Sequence, residues 1–243
     1  MADIKVALVG NPNTGKSTVF NLLTGLNQKI GNFPGITVDK KTGFCTLPDN
    51  RVATIVDLPG TYSLYPKSKD ESIVFQVLAD QKNSSHPDLI VVVADATNLR
   101  RNLLLFSQVA DLGLPMLLVL NMADMAKKEG IAVDVDQLAQ RLGVQVIQMS
   151  ARNNEGIDAL KNAISNATRI STQNYSIDVN ALAPLAINAV KEKLNTANDY
   201  YALQILHQHE HLAYLTEVEQ SDIEKIEKDH QFDSSALQGE ETV

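Results

Sequence analysis

Cysteine is nearly missing from this chain: Cys45 is the one thiol in 243 residues, so no disulfide can form within it. Nothing at the N-terminus has the charged-then-apolar pattern of a signal peptide. Together these absences lead to the expectation of a reducing, cytoplasmic setting. Long apolar runs are missing too. The longest, such as residues 114–120, fall far short of the roughly 20 residues a membrane-spanning helix needs. The chain as given is expected not to cross a membrane, and is compatible with being a piece of a protein that does. No internal repeat or low-complexity tract occurs. Positive charge is sparse in the last third: residues 171–243 hold 4 Lys+Arg against 13 Asp+Glu, whereas residues 1–170 hold 17 against 16. A part this acidic is poorly suited to gripping phosphodiester backbones, which argues against a nucleic-acid partner.

What is present is a regular alternation. Apolar runs at 5–10, 51–57, 88–94, 116–121 and 144–149 read as buried strands, and amphipathic stretches near 17–24, 71–80, 98–112, 135–142 and 157–167 read as helices. The pattern predicts a doubly wound α/β sheet covered by helices on both faces. A further strand at 41–47, joined to 51–57 by the turn Pro48-Asp49-Asn50, reads as an antiparallel partner, giving six mostly parallel strands. Residues 28–38, with Gly31, Pro34 and Gly35, read as a long loop. Residues 1–168 form this first domain, and 169–179 are polar and β-branched, as a linker would be. Residues 180–231 are rich in helix formers, with Pro184 placed for a first helical turn. They predict a small all-helical domain, with 232–243 as a frayed tail.

The chemistry lies in short motifs at the ends of the strands. "GNPNTGKST", Gly10 to Thr18, directly follows a strand and opens a helix, as a nucleotide phosphate loop does. Backbone N–H groups from Asn11 and Asn13 through Thr14, Gly15, Lys16, Ser17 and Thr18 are placed to converge on phosphates at a helix N-terminus. Lys16 adds a point charge, and Ser17 offers a hydroxyl to magnesium. Asp57-Leu58-Pro59-Gly60 ends another strand, so Asp57 suits magnesium held through water and the Gly60 N–H suits a γ-phosphate. In Asn121-Met122-Ala123-Asp124 a carboxylate can accept the N1 and N2 hydrogens of guanine, a donor pair that adenine lacks. Ser150-Ala151 offers a backbone N–H for guanine O6. Each motif alone is weak; four in this order predict a guanine-nucleotide-binding domain.

These segments resemble the cytoplasmic GTPase region of the bacterial ferrous iron transport protein B family. The resemblance rests on "GNPNTGKST", "GNFPGITVDKKTG" (31–43), "VDLPGTYSL" (56–64), "DATNLRRNLLL" (95–105) and "NMAD" (121–124). It implies a Ras-like P-loop GTPase fold, slow hydrolysis of GTP to GDP, and switch loops that couple nucleotide state to a membrane permease absent here. The location it implies is the cytoplasmic face of the bacterial inner membrane, with homo-oligomerisation left open. By the family's motif Thr37 is the switch threonine that closes on magnesium and the γ-phosphate, and Gly35 joins it among the nucleotide-binding residues. Thr42 competes by bare sequence, but lies in a strand pattern. Met122 stands where many GTPases carry a lysine, which implies weaker hold on the base.

Thr61 occupies the place of the water-positioning glutamine of Ras-like enzymes and cannot copy its two-ended amide. Charge developing between the β and γ phosphates is therefore left unmet. Asn13 offers a neutral oxygen there, and potassium held by it and by the carbonyls of Gly31 and Phe33 would fill the need; potassium-stimulated members of the resembled family carry the same asparagine. The competing reading is that Asn13 caps the following turn or bonds its own backbone. "HQHEH", His207 to His211, read as helix, puts two histidines on one face and the third away, a weak metal site. Arg100-Arg101 reads as an exposed pair, with reach to a neighbouring subunit's nucleotide as the alternative. Tyr62 and Tyr65 lie in the second switch. The competing functional classes are a soluble ribosome-assembly or tRNA-modification GTPase, and a nucleotide-binding scaffold without turnover.

Overall fold

A computed structural model of the chain describes residues 4–26, 28–33, 39–65, 72–167, 182–212 and 214–232. Gly35, Thr37, the linker at 169–179 and nearly all of the tail lie outside the described residues. Seven strands form one sheet in the order β2-β3-β4-β1-β5-β6-β7. They are β1 (Ile4–Gly10), β2 (Gln28–Asn32), β3 (Asp39–Thr46), β4 (Val52–Asp57), β5 (Leu89–Asp95), β6 (Met116–Asn121) and β7 (Val146–Gln148). From β4 through β7 the neighbours are parallel, and β3 is antiparallel to both β2 and β4.

The sheet has seven strands, one more than the hydropathy pattern predicts. Gln28-Lys29-Ile30-Gly31-Asn32 is a strand within the stretch expected to be a loop. As the outermost strand it exposes Ile30 (65%), so it has no buried face and writes no apolar alternation into the sequence.

Alternation inside the central strands sorts the core into two layers. Ala7, Val9, Ile90, Val92, Leu118 and Leu120 face one side, and Val6, Leu8, Val91, Val93, Leu117 and Val119 the other. The second face is covered by α1 (Lys16–Thr24) and α6 (Ile157–Asn166). The first is covered by α2 (Ile73–Ala79) and α3 (Leu99–Ala110), and its apolar cluster runs on into α7 (Pro184–Leu194), α8 (Asp199–Gln208) and α9 (Glu217–Asp229). Ile187, Leu203, Leu206 and Ile223 are at most 1% exposed, each contributing about 1.5–3 kcal/mol by burial. Pro184 sits in the first turn of α7. Asn198 caps α8 and its Nδ2 donates to the Asp111 carbonyl at 2.8 Å, tying these helices to the end of α3. The short α4 (Ala123–Lys128) and α5 (Val135–Leu142) complete the sheet's flank. Among the described residues no helix is long and apolar enough to cross a membrane.

Candidate functional site

The carboxyl ends of β1, β4 and β6 and the segment after β7 meet at one edge of the sheet, where open α/β sheets bind ligands. β1 stops at Gly10 because the loop must pass close over β5: a Cβ there would stand 2.4 Å from the Val93 carbonyl oxygen. Asn13 (φ 66°) and Gly15 (φ 81°) are both left-handed, curling the loop into an amide-lined concavity. Gly15 is the N-cap of α1 and brings no side chain to it, so no side-chain cap takes up the N–H groups of the first turn, although the Thr18 N–H donates to the Gly15 carbonyl at 3.0 Å. Lys16 Nζ donates to Asp57 Oδ1, and both residues are buried. The phosphate-loop cation and the β4 carboxylate thus lie side by side.

Asn121 joins three segments. Its Nδ2 donates to the Thr14 carbonyl at 2.9 Å, and its Oδ1 accepts the Ala151 N–H at 2.9 Å. Gly15 has no room for a side chain beside it, since a Cβ would meet Asn121 Nδ2 at 2.3 Å. Met122 takes a left-handed backbone (φ 61°) at the start of α4. That turn carries Asp124 outward, where the Ser150 hydroxyl donates to its Oδ1 at 2.8 Å. This hydrogen bond holds the Asp124 carboxyl below the usual carboxylate range, favouring its charged, acceptor-only form.

The segment after β4 folds back on the phosphate loop. The Thr61 N–H donates to the Gly10 carbonyl at 3.2 Å, and a Cβ on Gly60 would lie 3.3 Å from the Pro12 backbone. Asn13 is exposed, and its side chain has no hydrogen-bond partner among the described residues. Its left-handed φ gives the backbone its own reason for asparagine. Gly31 pairs with Lys40 in the β2–β3 ladder, and Phe33 follows with its ring buried. Thr42 lies in β3 opposite Val56.

The histidine motif does not form one helix face. α8 ends at Gln208 and His209–His211 make a 3₁₀ turn, so helical spacing does not apply. His207 lies edge-on to Tyr65 (5.5 Å) and Phe232 (5.3 Å), and His209 is buried with Nδ1 3.7 Å from Glu227 Oε1. Among the described residues no group of three or more His, Cys, Asp or Glu could hold a metal. Sequence reasoning missed Gln108 and Gln208, which both bond Leu64; nothing in a lone glutamine on a helix signals such a role.

Strand order, phosphate loop and base motif define the class: a Ras-like P-loop GTPase domain, with further helices packed on it. The chain belongs to the ferrous iron transport protein B family, whose model matches residues 4–164. The Fe(2+) transporter FeoB of Salmonella typhimurium is 45% identical over 164 residues, 68% of this chain and 21% of that protein. The chain thus spans about a fifth of the length of the curated relatives it matches. A GDP-bound variant of S. thermophilus NFeoB superposes with a TM-score of 0.72 at 33% identity, covering 98% of this chain and 95% of that one. The cytosolic domain of L. pneumophila FeoB gives 0.72 at 33% identity, over 92% of this chain and 98% of its own.

Proposed function

We infer that this chain is the guanine-nucleotide-binding and GTP-hydrolysing part of a ferrous iron transporter, working at the cytoplasmic face of a bacterial inner membrane. Residues 1–168 bind and hydrolyse the nucleotide. Residues 180–231 connect them, through the helices packed on the sheet, to a membrane permease region of the same full-length protein. Supporting this are the family, the GDP held by the S. thermophilus relative and, above all, one observation. A single buried side chain, Asn121, locks the phosphate loop to the loop that bears Ala151, so the phosphate and base ends of one pocket are built as a unit.

In that pocket Gly10 through Thr18 wrap the phosphates, Asp124 accepts the guanine N1 and N2 hydrogens, and Met122 lies along the base. The Ala151 N–H is proposed for O6; since it is bonded to Asn121 here, it would share its hydrogen. Lys16 would exchange its partner Asp57 for phosphate oxygens, and Ser17, Thr37 and, through water, Asp57 are the residues that would hold magnesium. Magnesium supplies positive charge against the β and γ phosphates. The Gly60 N–H meets the γ-phosphate, and Gly35 is counted among the nucleotide-binding residues by the family motif. Asn13, with backbone carbonyls of Gly31 and Phe33, would hold potassium. Turnover is slow, because Thr61 cannot orient a water as a glutamine does.

The test is fluorescent nucleotide binding to the full chain, with the phosphate release that should accompany GTP. GDP and GTP are expected to bind at least a hundredfold more tightly than ADP and ATP, because a pocket built for a polar edge is left unpaired by the wrong base. Equal affinity for both bases would defeat the reading.

A further inference from the structure

Tyr62 and Arg101 take no part in the pocket just described, and the structure puts them together. The Arg101 guanidinium carbon lies 4.1 Å from the centroid of the Tyr62 ring, a stacked cation–π contact. The Arg101 carbonyl accepts from Asn11 Nδ2 at 3.4 Å, and Asn11 is a phosphate-loop residue only 3% exposed. On the other side of Tyr62, Thr61 is bonded to the Gly10 carbonyl and Gly60 abuts Pro12. Residues 60–62 are therefore tied to the phosphate loop twice, once directly and once by way of α3. Tyr62 remains 44% exposed, so the stack adds little to the core. What it restricts is where this stretch of backbone can stand.

We propose that Arg101 is a positioning residue for GTP hydrolysis: by holding Tyr62 it keeps the Gly60 N–H where the γ-phosphate arrives. The proposal rests on the preceding reading that Gly60 meets that phosphate. A contact that favours one arrangement of a mobile segment acts by raising the fraction of time the segment is in place. For an exposed cation–π pair that factor is about two- to fivefold. The effect falls on kcat, because the guanine base is held by Asp124, Met122 and the Ala151 N–H, which do not touch this pair.

The full chain is compared with Arg101→Ala, Tyr62→Leu, Tyr62→Phe, the Arg101→Ala/Tyr62→Leu double variant and Arg100→Ala, by phosphate release and by binding of fluorescent GDP. Arg101→Ala and Tyr62→Leu are expected to lower kcat by about two- to fivefold. The double variant should lose no more than either single one, and GDP affinity should not change. Tyr62→Phe, which keeps the ring, recovers the rate lost in Tyr62→Leu, and Arg100→Ala behaves as the unmutated chain. Additive losses in the double variant, or an unaltered kcat in Arg101→Ala, overturn the proposal. If the unmutated chain binds GDP but releases no phosphate, the hydrolytic reading fails by itself. The pairing is then read by chymotrypsin cleavage after Tyr62, about two- to fivefold faster in Arg101→Ala if the stack holds the segment, and unchanged if it does not.

Discussion

Gln208 donates its side-chain Nε2 to the carbonyl of Leu64 at 3.0 Å. The N–H of the same leucine donates to Gln108 Oε1 at 2.9 Å. One residue of the segment after β4 is thereby held from both sides, by α3 of the sheet domain and by α8 of the helices that follow. All three residues are at most 6% exposed, so water cannot replace either partner. Gln208→Leu strands the Leu64 carbonyl, at a cost of about 1–3 kcal/mol. For a chain of this length each kcal/mol lowers Tm by about 2–4 °C. A fall of several degrees in a thermal melt is expected, together with an altered release rate of fluorescent GDP. A lower Tm with unchanged release would mean that the helices do not act on nucleotide through Leu64.

The neighbouring His207 makes the same interface sensitive to acid. Burial between Tyr65 and Phe232 lowers its pKa from 6.5 to about 4, and its Nε2 is buried without a partner among the described residues. The unfolded chain takes up this proton near 6.5 and the folded chain only near 4. Stability from His207 is therefore complete above pH 6.5 and falls as pH drops towards 4. The difference is at most about 3 kcal/mol. Glu227, whose carboxyl burial pushes up, acts in the opposite sense and offsets part of it. The urea midpoint should fall between pH 7 and 4.5, and His207→Phe should flatten that fall. Equal slopes in the two proteins would assign the acid sensitivity to other groups.

The base end of the pocket yields a sharper test. Asp124 presents an acceptor, oriented by the Ser150 hydroxyl. Asp124→Asn places a donor amide where guanine also donates. Losing two hydrogen bonds to a charged group is worth about a hundredfold or more in GDP affinity. Xanthosine diphosphate, with a carbonyl in place of the 2-amino group, should lose far less. Ser150→Ala should weaken GDP more mildly, about tenfold. Competition binding with the two nucleotides measures both, and a parallel loss of both by Asp124→Asn would remove Asp124 from base recognition.

The placing of Asp57 and Asn121 at strand ends was legible in the sequence because each closes an apolar run, and Lys16 and Asp124 stand a few residues past such a run. The central strands were legible for a related reason: strands buried on both faces are continuously apolar. What escaped was written in no periodicity. β2 has no buried face, and α4 has only six residues, too few to show a helical repeat. The Gln108–Leu64–Gln208 arrangement depends on which backbone groups face one another across two units. The histidines were misread because helical spacing was applied past Gln208, where α8 ends. Asn13 was legible as an anomaly, but its left-handed backbone was not, since asparagine suits both a left-handed residue and a cation ligand, two reasons that sequence cannot separate.

Those two reasons can be separated by mutation. A left-handed residue is tolerated best as glycine, next as asparagine and poorly as alanine. Asn13→Gly therefore keeps the loop and removes only the amide oxygen, whereas Asn13→Ala removes the oxygen and strains the turn at φ 66°. If Asn13 holds potassium, hydrolysis by the unmutated chain should run at least tenfold faster in potassium than in sodium, below the roughly 10³–10⁵ that an arginine finger contributes. Both variants should lose that difference, with Asn13→Gly still binding GDP normally. If the asparagine serves only the backbone, Asn13→Gly will hydrolyse GTP as the unmutated chain does and Asn13→Ala alone will fail.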